Sequence, residues 1–321
     1  MEKLQLSPTY SLQAAASAEA LVAFNIGPDG VVYAVYACRP LDGRTTVPGG
    51  TSFAKTIPTS TQVYRVIGVL GEDRILDILI ANERFNIHLV QPLGQDILLA
   101  CARSYYRGPD DYEFNGRLYG RDGALKQEIL LGDGIEDMQT TKHGEIWTSY
   151  FDEGIFGNYG WHDPIGSSGL IAWDAVGQKC YEYDPPAGLD SICDCYALNV
   201  GSDDDVWCYY YTDFPLVHLH QKRVASAWHI PVRGSRAFAI AGGYALFAGS
   251  YDARDTLHLL QLLPEGKVKQ MGQFVPYDEA GNALEISHVV GRGDSLWMLD
   301  TQGLGYRVRV RELLQLTRRR S

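Results

Sequence analysis

The sequence predicts an all-β chain folded as a six-bladed β-propeller of four-stranded blades, closed by pairing of strands from the two ends of the chain. Three observations support this: a short motif recurs six times, short strands alternate with Gly, Asp and Pro turns, and helical segments are few. The 321 residues are 45% hydrophobic and 21% charged, which is enough apolar material for a large core. We expect a single domain over residues 1–321.

The recurring motif is a Gly or Asp turn followed by a strand that begins with an aliphatic and an aromatic residue. Its six anchor positions are Tyr33, Leu98, Trp147, Trp207, Phe247 and Trp297. The anchors are 65, 49, 60, 40 and 50 residues apart, whereas propeller blades typically occupy about 40–50 residues. The longer intervals therefore predict blades that carry inserted loops.

Alternating strands follow the anchors in pairs, each pair joined by a short turn. Residues 117–129 turn at Arg121-Asp122-Gly123, residues 169–183 turn at Val176-Gly177-Gln178, and residues 257–270 turn at Pro264-Glu265-Gly266. Asp-Gly between alternating strands is a strong signal for a β-hairpin. These pairs complete the four strands of a blade.

The two ends of the chain lack complete blades of their own. Residues 3–6 precede the first anchor, and one alternating strand, residues 306–311, follows the last anchor. Because an open ring would expose strand edges, we expect the N-terminal segment to form the outermost strand of the last blade. Helical signals are confined to residues 12–21 and 311–318, and residues 312–321 are interpreted as a flexible basic tail.

The net charge of the protein and the residues around its cysteines indicate where the protein resides and what it binds. The net charge is −11, and it disfavours nucleic acid as a partner because the protein repels phosphate. No window reaches the apolar length of a membrane helix, and the first residues lack a secretory-signal pattern. The six cysteines lie among apolar neighbours, which is typical of buried free thiols in a reducing compartment. We therefore expect a cytoplasmic monomer that contacts no membrane.

Polar residues in the apolar runs before the anchors are one set of candidate site residues, because the inner strand of each blade lines a propeller's axis. They are His88, Glu136, Asp137, Asp194, Arg236, Glu285 and His288. A shared Ile-x-Asp pattern suggests equivalent positions for Asp137 and Asp194. Together with Glu136 and His88 they would bind a divalent cation, calcium or magnesium, or perform acid–base chemistry. The alternative is that these groups cap backbone atoms or hold water.

Two aromatic loops form the second set of candidates. Residues 150–164 and 208–215 combine large rings with acids, and long loops on a rigid scaffold commonly carry recognition residues. The predicted binding residues are Phe156, Asn158, Tyr159, Trp161, His162, Asp163, Tyr210, Tyr211 and Asp213. These rings would stack on a sugar or a peptide while the polar groups form hydrogen bonds. The alternative is a loop that packs its aromatic rings against its own blade.

Two further groups are interpreted as surface residues. Asp203-Asp204-Asp205 lies in a turn and lacks the calcium-loop pattern. His218, His220 and His229 flank a hairpin and alternate with apolar residues, which indicates a solvent-facing side. Neither group is predicted to form a site.

The anchors, variants of Gly-x-Ile-Trp, resemble those of six-bladed propellers of the NHL, YWTD and gluconolactonase-like classes over nearly the whole chain. Residues 134–154 also look like sequences of uncharacterised bacterial propeller proteins. The lactonase-like enzymes hold a metal through carboxylate and Asn ligands on the axis. Asp137 and Asp194 fit that role here, but no channel Asn completes the set, and no catalytic residue is carried over.

The favoured hypothesis is a non-catalytic binding scaffold that recognises a protein or peptide partner through its aromatic loops. No signature of a nucleophilic enzyme, a nucleotide-binding loop or a dinucleotide fold is present in the sequence. A narrower version of this hypothesis expects a basic partner. The last 15 residues carry six Arg and one Glu, so the other 306 residues have a net charge of −16. No cofactor is expected. The alternative is a lactonase-like, metal-assisted hydrolase or lyase.

Overall fold

The computed structural model describes residues 1–13, 20–46 and 50–318. Two compact units make up the chain. The first unit is Ala15–Tyr183, and the second unit is Met1–Ala14 together with Asp184–Ser321. Nearly all of the regular secondary structure of the described residues is β-strand, and its antiparallel four-stranded sheets are the six blades of a β-propeller, as the sequence predicts.

The chain opens with two short strands, β1 (Glu2–Gln5) and β2 (Tyr10–Ser11), and then forms the three blades of the first unit. Blade 1 comprises β3 (Ala20–Ile26), β4 (Val32–Ala37), an inserted hairpin of β5 (Arg44–Thr46) and β6 (Ser52–Ala54), β7 (Gln62–Leu70) and β8 (Asp73–Glu83). Blade 2 comprises β9 (Leu89–Leu93), β10 (Asp96–Ala100), an inserted hairpin of β11 (Tyr106–Gly108) and β12 (Asp111–Tyr112), β13 (Gly116–Tyr119) and β14 (Leu125–Ile129). Blade 3 comprises β15 (Ile135–Thr140), β16 (Ile146–Tyr150), the short helix α1 (Asp152–Phe156), β17 (Leu170–Trp173) and β18 (Lys179–Glu182).

The second unit contains the other three blades. Blade 4 comprises β19 (Asp194–Val200), β20 (Asp205–Tyr211), β21 (Pro215–His220) and β22 (Arg223–His229). Blade 5 comprises β23 (Ala237–Ala241), β24 (Tyr244–Ala248), β25 (Leu257–Leu262) and β26 (Val268–Tyr277). Blade 6 comprises β27 (Ile286–Arg292), β28 (Ser295–Asp300) and β29 (Leu304–Arg309), and the helix α2 (Val310–Arg318) follows it.

All six predicted anchors lie on the second strand of a blade. Each anchor faces one residue of the innermost strand in the pairing register: Tyr33 faces Asn25, Leu98 faces Gln91, Trp147 faces Gln139, Trp207 faces Asn199, Phe247 faces Phe238 and Trp297 faces Val290. Five of the six anchors are buried, and Trp207 is half-buried. The motif thus marks the second strand of every blade, and burial favours an apolar side chain there. Phe247 differs in orientation, because it packs into the cluster shared with blade 4, whereas Trp207 packs toward blade 5.

The core of each unit lies between the faces of neighbouring blades. In the first unit, one apolar cluster joins blades 1 and 2 and includes Val35, Ile80 and Leu99. In the second unit, one cluster joins blades 4 and 5, and another joins blades 5 and 6 and includes Leu4 and Leu313. Both faces of the strands are therefore largely buried, which accounts for their long apolar runs.

The N-terminal segment pairs with two blades of the second unit. β1 lies parallel to β26 as a fifth strand of blade 5, and β2 pairs antiparallel with β29 as the outermost strand of blade 6. The prediction that the N-terminus supplies the outermost strand of the last blade is confirmed at Tyr10–Ser11. It is wrong for residues 3–6, because β1 covers the edge of blade 5 and the four residues 6–9 then carry the chain to blade 6.

Tyr10 fixes this closing strand. Its ring is buried, its hydroxyl donates to the Met298 carbonyl at 2.9 Å, and burial raises its pKa above the ordinary value for tyrosine. Gly305 leaves room for the ring, because a Cβ there would lie 2.0 Å from Tyr10 Cε2. The absence of a side chain at one position therefore allows the ends of the chain to pair.

Residues 310–318 form a helix, as the weak helical signal predicted, and the expectation of a flexible tail from residue 312 is wrong there. Val310 and Leu313 are buried in the core of the second unit, so one apolar side of the helix holds it in place. The predicted helical signal at residues 12–21 falls largely outside the described residues, as do Arg319 and Arg320. Within the described chain, no helix has the length and apolar character needed to cross a membrane.

We predict that Tyr10→Ala lowers the free energy of unfolding by about 3–5 kcal/mol, because it leaves a cavity and removes the bond to Met298. Chemical denaturation measures the change. Ser11→Ala in the same strand is the control, since Ser11 is exposed, and it should shift stability by no more than about 0.5 kcal/mol. Equal stability of the two variants would show that β2 does not close the fold.

Candidate functional site

Four buried amide side chains occupy the innermost strands at the positions that face the anchors. They are Asn25, Gln91, Gln139 and Asn199, and none is more than 3% exposed. The sequence analysis considered only charged residues and histidines of these strands and missed all four. The signal was present in the repeat itself, since each amide stands opposite an anchor in the hairpin register.

Asn199 joins the three inner strands of the second unit. Its amide nitrogen donates to the Phe238 carbonyl at 2.8 Å and to the Gly293 carbonyl at 3.1 Å, while its oxygen accepts from the Gly293 N–H at 2.8 Å. One side chain on β19 thus satisfies backbone groups of β23 and of the turn after β27. A buried backbone group left without such a partner costs about 1–3 kcal/mol.

Asn25 and Gln91 have the same role in the first unit. Asn25 donates to the Met138 carbonyl at 3.2 Å and to Asp137 Oδ1 at 3.1 Å. Gln91 donates to the Ile26 carbonyl at 3.1 Å, and its oxygen accepts from the backbone N–H and hydroxyl of Thr140 at 3.2 and 3.1 Å. The inner strands of blades 1, 2 and 3 are therefore linked by side-chain amides.

Asp137, a predicted cation ligand, takes part in this amide network. Besides Asn25, it accepts from the Met138 N–H at 2.7 Å and from Gln139 at 3.0 Å. Both carboxylate oxygens thus already have donors, which is the capping role that the sequence analysis weighed against metal binding.

The equivalence of Asp137 and Asp194 is wrong. Asp137 faces Ser149, two residues past its anchor, whereas Asp194 faces Tyr211, four residues past its anchor. Each strand contains one bulge, after Ile135 in β15 and after Cys195 in β19, and just past it Asp137 and Ala197 both face the residue two past their anchors. Asp137 therefore corresponds to Ala197, and the shared Ile-x-Asp pattern does not mark one position.

His88, another predicted ligand, is held neutral. Burial lowers its pKa to about 4, with a further lowering by the positive charge of Arg103. Its Nδ1 accepts from the Ala102 N–H at 3.2 Å, which leaves Nε2 as the nitrogen for any other partner. Glu136 lies in β15 beside Asp137, while Asp194 belongs to the second unit. Their role as cation ligands stays a prediction.

A different group of side chains has the spacing of metal ligands. In the described part of the chain, three donor atoms from His, Cys, Asp or Glu lie within 4.8 Å of one another at Asp205, His218 and His220. The sequence analysis interpreted these residues as a solvated turn and strand face. The group belongs to blade 4.

Long insertions between the second and third strands distinguish the blades of the first unit. The connecting segments are residues 38–61, 101–115 and 151–169, whereas in the second unit they are residues 212–214, 249–256 and 301–303. The two longest intervals between anchors predicted the insertions of blades 1 and 3, which contain the hairpin β5–β6 and the helix α1. The insertion of blade 2, with the hairpin β11–β12, lies in an interval of 49 residues and was not predicted. Because equivalent loops of a propeller lie at the same end of every blade, these insertions share one face of the first unit.

Arg103 connects two of these insertions. Its guanidinium forms two bonds of 2.8 Å to the buried carboxylate of Asp133 and one of 2.5 Å to Glu153, and it lies 3.9 Å from the centre of the Tyr159 ring. Burial by itself would lower the pKa of Arg103, but the bonds and charges of Asp133 and Glu153 raise it above the ordinary value. The cation thus fixes the predicted loop of blade 3 to blade 2.

The rings of Tyr159 and Trp161 pack inside the insertions. The Tyr159 hydroxyl donates to the Ala54 carbonyl at 2.6 Å, and Trp161 Nε1 donates to the Ser104 carbonyl at 2.8 Å. They are 6% and 9% exposed, so the expectation that these rings face solvent is wrong. Because both rings complete hydrogen bonds to other blades, they act as supports for the surface above them.

The other predicted binding residues differ in exposure. Phe156 is 68% exposed, His162 and Asp163 are exposed, and Asn158 is half-buried. In the second unit Tyr210 is completely buried and donates to the Asp190 carbonyl at 3.0 Å, so it is also wrongly expected at the surface. Tyr211 and Asp213 are exposed. Participation of the exposed residues in binding stays a prediction.

A groove of about 360 Å³ lies between the insertions of blades 1 and 2. Its apolar lining includes Phe53, Ile57 and Tyr105, which are 44%, 42% and 37% exposed. Tyr105 packs on Tyr159 with ring centres 4.5 Å apart, so the predicted loop supports one wall of the groove. Sequence analysis missed these lining residues, because the insertions have no repeat that would place them together.

Ion pairs border the groove on both sides. Lys55 binds Asp42 at 2.6 Å, and Arg107 binds the buried carboxylate of Glu113 at 2.6 Å. The hydrogen bond from Lys55 and those from Thr59 lower the pKa of Asp42 to about 2. Paired charges beside an apolar surface are typical of the polar rim of a protein interface.

Comparisons with known proteins agree with the fold. A family model described as the YxzG family matches residues 166–307, less than half of the chain, and among curated proteins none matches. A chain in the crystal structure of the Mitotic Checkpoint Complex has a TM-score of 0.51 at 7% identity, over 96% of this chain and 94% of that chain. A catalytically inactive virginiamycin B lyase from Staphylococcus aureus, crystallised with quinupristin, has a TM-score of 0.42 at 10% identity, over 93% of this chain and 98% of that chain. The Cps50 (Swd1) propeller domain of Myceliophteria thermophila has a TM-score of 0.48 at 11% identity, over 90% of this chain and 85% of that chain.

At such low identity, structural similarity shows the fold alone. The structure of the site must therefore supply any argument about function.

We predict that Trp161→Ala lowers the free energy of unfolding by about 3–5 kcal/mol, because the buried indole fills space and bonds to Ser104. Phe156→Ala in the same loop is the matched control and should change stability by at most about 0.5 kcal/mol, since its ring is exposed. Thermal and denaturant unfolding of both variants measure the difference. A fully stable Trp161→Ala protein would mean that the loop does not support the insertions.

We also predict that Asn199→Asp destabilises the protein by at least about 2 kcal/mol. The change removes both donors and places a carboxylate against the Phe238 and Gly293 carbonyl oxygens. The same substitution at Asn158 is the control, because that side chain only accepts, from the Tyr159 N–H at 2.8 Å, and aspartate retains the acceptor. Similar denaturation midpoints for the two variants would contradict a structural role of the amide.

Proposed function

We propose that this protein is a non-catalytic scaffold that binds a peptide segment of a partner protein in the groove between the insertions of blades 1 and 2. The observation that carries the proposal is the group of partly exposed Phe53, Ile57 and Tyr105 side chains around a recess of about 360 Å³. Exposed apolar groups concentrated in a groove on a rigid scaffold are typical of peptide recognition.

The support beneath the groove favours binding over a flexible loop surface. Tyr159 contacts both walls, through its ring at Tyr105 and its hydroxyl at Ala54. Arg103 in turn holds Tyr159 through the stacking contact and holds the loop through Glu153. A pre-formed surface loses little conformational entropy when a partner binds, which leaves more of the contact energy for affinity.

The chemistry of the lining defines the expected ligand. An apolar side chain of the peptide would fill the recess, while the Lys55–Asp42 and Arg107–Glu113 pairs offer donors and acceptors at its rim. The net charge of −11 attracts partners of opposite charge over long distances. We therefore expect a peptide with an apolar anchor residue flanked by basic residues.

Selection of random peptides displayed on phage against the immobilised full chain tests the proposal. The Kd of the best peptide is then measured for the wild type and for Phe53→Asp, in which the recess receives a charge. We expect affinity at least about tenfold weaker, the loss typical of an anchor contact. Leu79→Asp is the matched control, because Leu79 is 59% exposed on β8 of the same unit and does not line the groove.

Two results would overturn the proposal: a selection that enriches no peptide, or peptides that bind Phe53→Asp as tightly as the wild type. Phe156→Ala is measured in parallel and reports whether the contact surface extends to the exposed ring of the blade 3 loop.

A further inference from the structure

Blade 4 carries a partly exposed polar cluster on the face of its middle strands that includes Trp207. Asp205 faces His220 in the β20–β21 register, and the next pair on the same face is Trp207 with His218. The alternate residues on these strands, including Val206 and Leu219, are buried in the core. The two-residue period of a strand therefore places both histidines and the aspartate on one face.

The three side chains converge on one point. His218 Nε2 lies 2.9 Å from Asp205 Oδ1, and His220 Nδ1 lies 3.0 Å from the same oxygen. Histidines two residues apart on a strand have Cα atoms about 6.5–7 Å apart, so both rings must turn inward to meet the carboxylate. The cluster thus has two nitrogen donors and one oxygen donor directed toward a common centre.

Neighbouring residues hold two of the three groups in place. The Ser202 hydroxyl donates to Asp205 Oδ2 at 3.0 Å, which leaves Oδ1 directed at the histidines. The His218 ring stacks on Trp207 with centres 3.9 Å apart and planes at 10°. Supporting contacts of this kind orient metal ligands in proteins.

The cluster is open to solvent. The side chains of His220 and Asp205 are 52% and 41% exposed, so an ion can reach the donors from solvent and retain bound water.

The spacing of the donor atoms is close to that of a zinc site. With bonds of about 2.0–2.1 Å, adjacent donors of a tetrahedral zinc ion lie about 3.3–3.4 Å apart. The pairs measured here, at 2.9 and 3.0 Å, need to open by only a few tenths of an ångström. Imidazole nitrogen with a carboxylate is a ligand set for zinc, copper and nickel, whereas calcium and magnesium prefer oxygen.

We propose that Asp205, His218 and His220 form a binding site for a divalent transition-metal ion, with Zn²⁺ as the expected occupant and water in the remaining position. On binding, each neutral imidazole presents to the ion the ring nitrogen that faces Asp205 Oδ1 and carries its proton on the other ring nitrogen. The site is separate from the peptide groove, since it belongs to the second unit and uses none of the groove residues.

Charged neighbours of both signs surround the cluster. Asp203 and Asp204 precede Asp205 in its turn, while Lys222 and Arg223 follow His220 in the β21–β22 turn. The site therefore lacks a strong negative field, and its affinity must come from the ligand set itself. This favours a transition metal, which binds nitrogen strongly, over a cation held by charge alone.

The test measures Zn²⁺ binding to the full chain by isothermal titration calorimetry after treatment with EDTA and in the presence of a phosphine reductant. We expect about one Zn²⁺ per chain and a raised melting temperature with the metal bound. Asp205→Asn and His220→Ala should each weaken binding by at least about tenfold. His229→Ala is the matched control, because His229 lies on β22 of the same blade outside the cluster.

Cobalt substitution provides a second measurement that identifies the ligands. Co²⁺ in a tetrahedral site with nitrogen donors gives visible absorption, and this absorption should disappear in His220→Ala and persist in His229→Ala. The proposal is overturned if the wild type binds no Zn²⁺, or if the cluster variants bind Zn²⁺ and Co²⁺ as the wild type does. Binding at cysteine thiols would give the second result.

Discussion

The innermost strand of a blade has a strand neighbour on one side only, and the backbone groups on its other edge need partners of a different kind. Buried N–H and C=O groups are costly without hydrogen bonds, and a side-chain amide carries a donor and an acceptor in one small group. Asn199 satisfies backbone atoms of two neighbouring inner strands, and Asn25 and Gln91 do so in the other unit. The positions of the blades within each unit depend on these few amides.

The same need for hydrogen-bonded partners explains the candidate binding surface. Insertions in the blades of the first unit bring backbone groups into buried positions, and aromatic side chains with polar atoms bind them. Tyr159 donates to Ala54 and Trp161 donates to Ser104, while Arg103 neutralises the buried Asp133. The groove beside Tyr105 is consequently formed on fixed walls, which is the physical basis for assigning binding to it.

The sequence revealed the repeat because the second strand of every blade is apolar and follows a Gly or Asp turn. An aliphatic residue with an aromatic residue marks five of these strands, and Ile97-Leu98 marks the sixth. The sequence did not place the inner-strand residues correctly, because Asp137 follows the bulge of its strand whereas Asp194 precedes the bulge of its own. A sequence pattern such as Ile-x-Asp therefore placed Asp137 and Asp194 at equivalent positions that the pairing does not support. The sequence could not predict that Tyr159, Trp161 and Tyr210 are buried. The neighbouring residues are the same whether an aromatic ring packs inward or outward.

The amino-acid sequence by itself determined the six blades, their hairpins and the insertions of blades 1 and 3, because these follow from local turn chemistry and from periodic burial. It also indicated that the chain ends pair, but the tertiary structure decided which N-terminal residues do so. The tertiary structure alone decided which side chains lie beside one another. Phe53 and Tyr105 come from different blades, and Asp205 meets His218 and His220 only through strand register. The first encounter depends on how two blades pack and the second on the exact register of one hairpin, and local residue preferences carry no information about either.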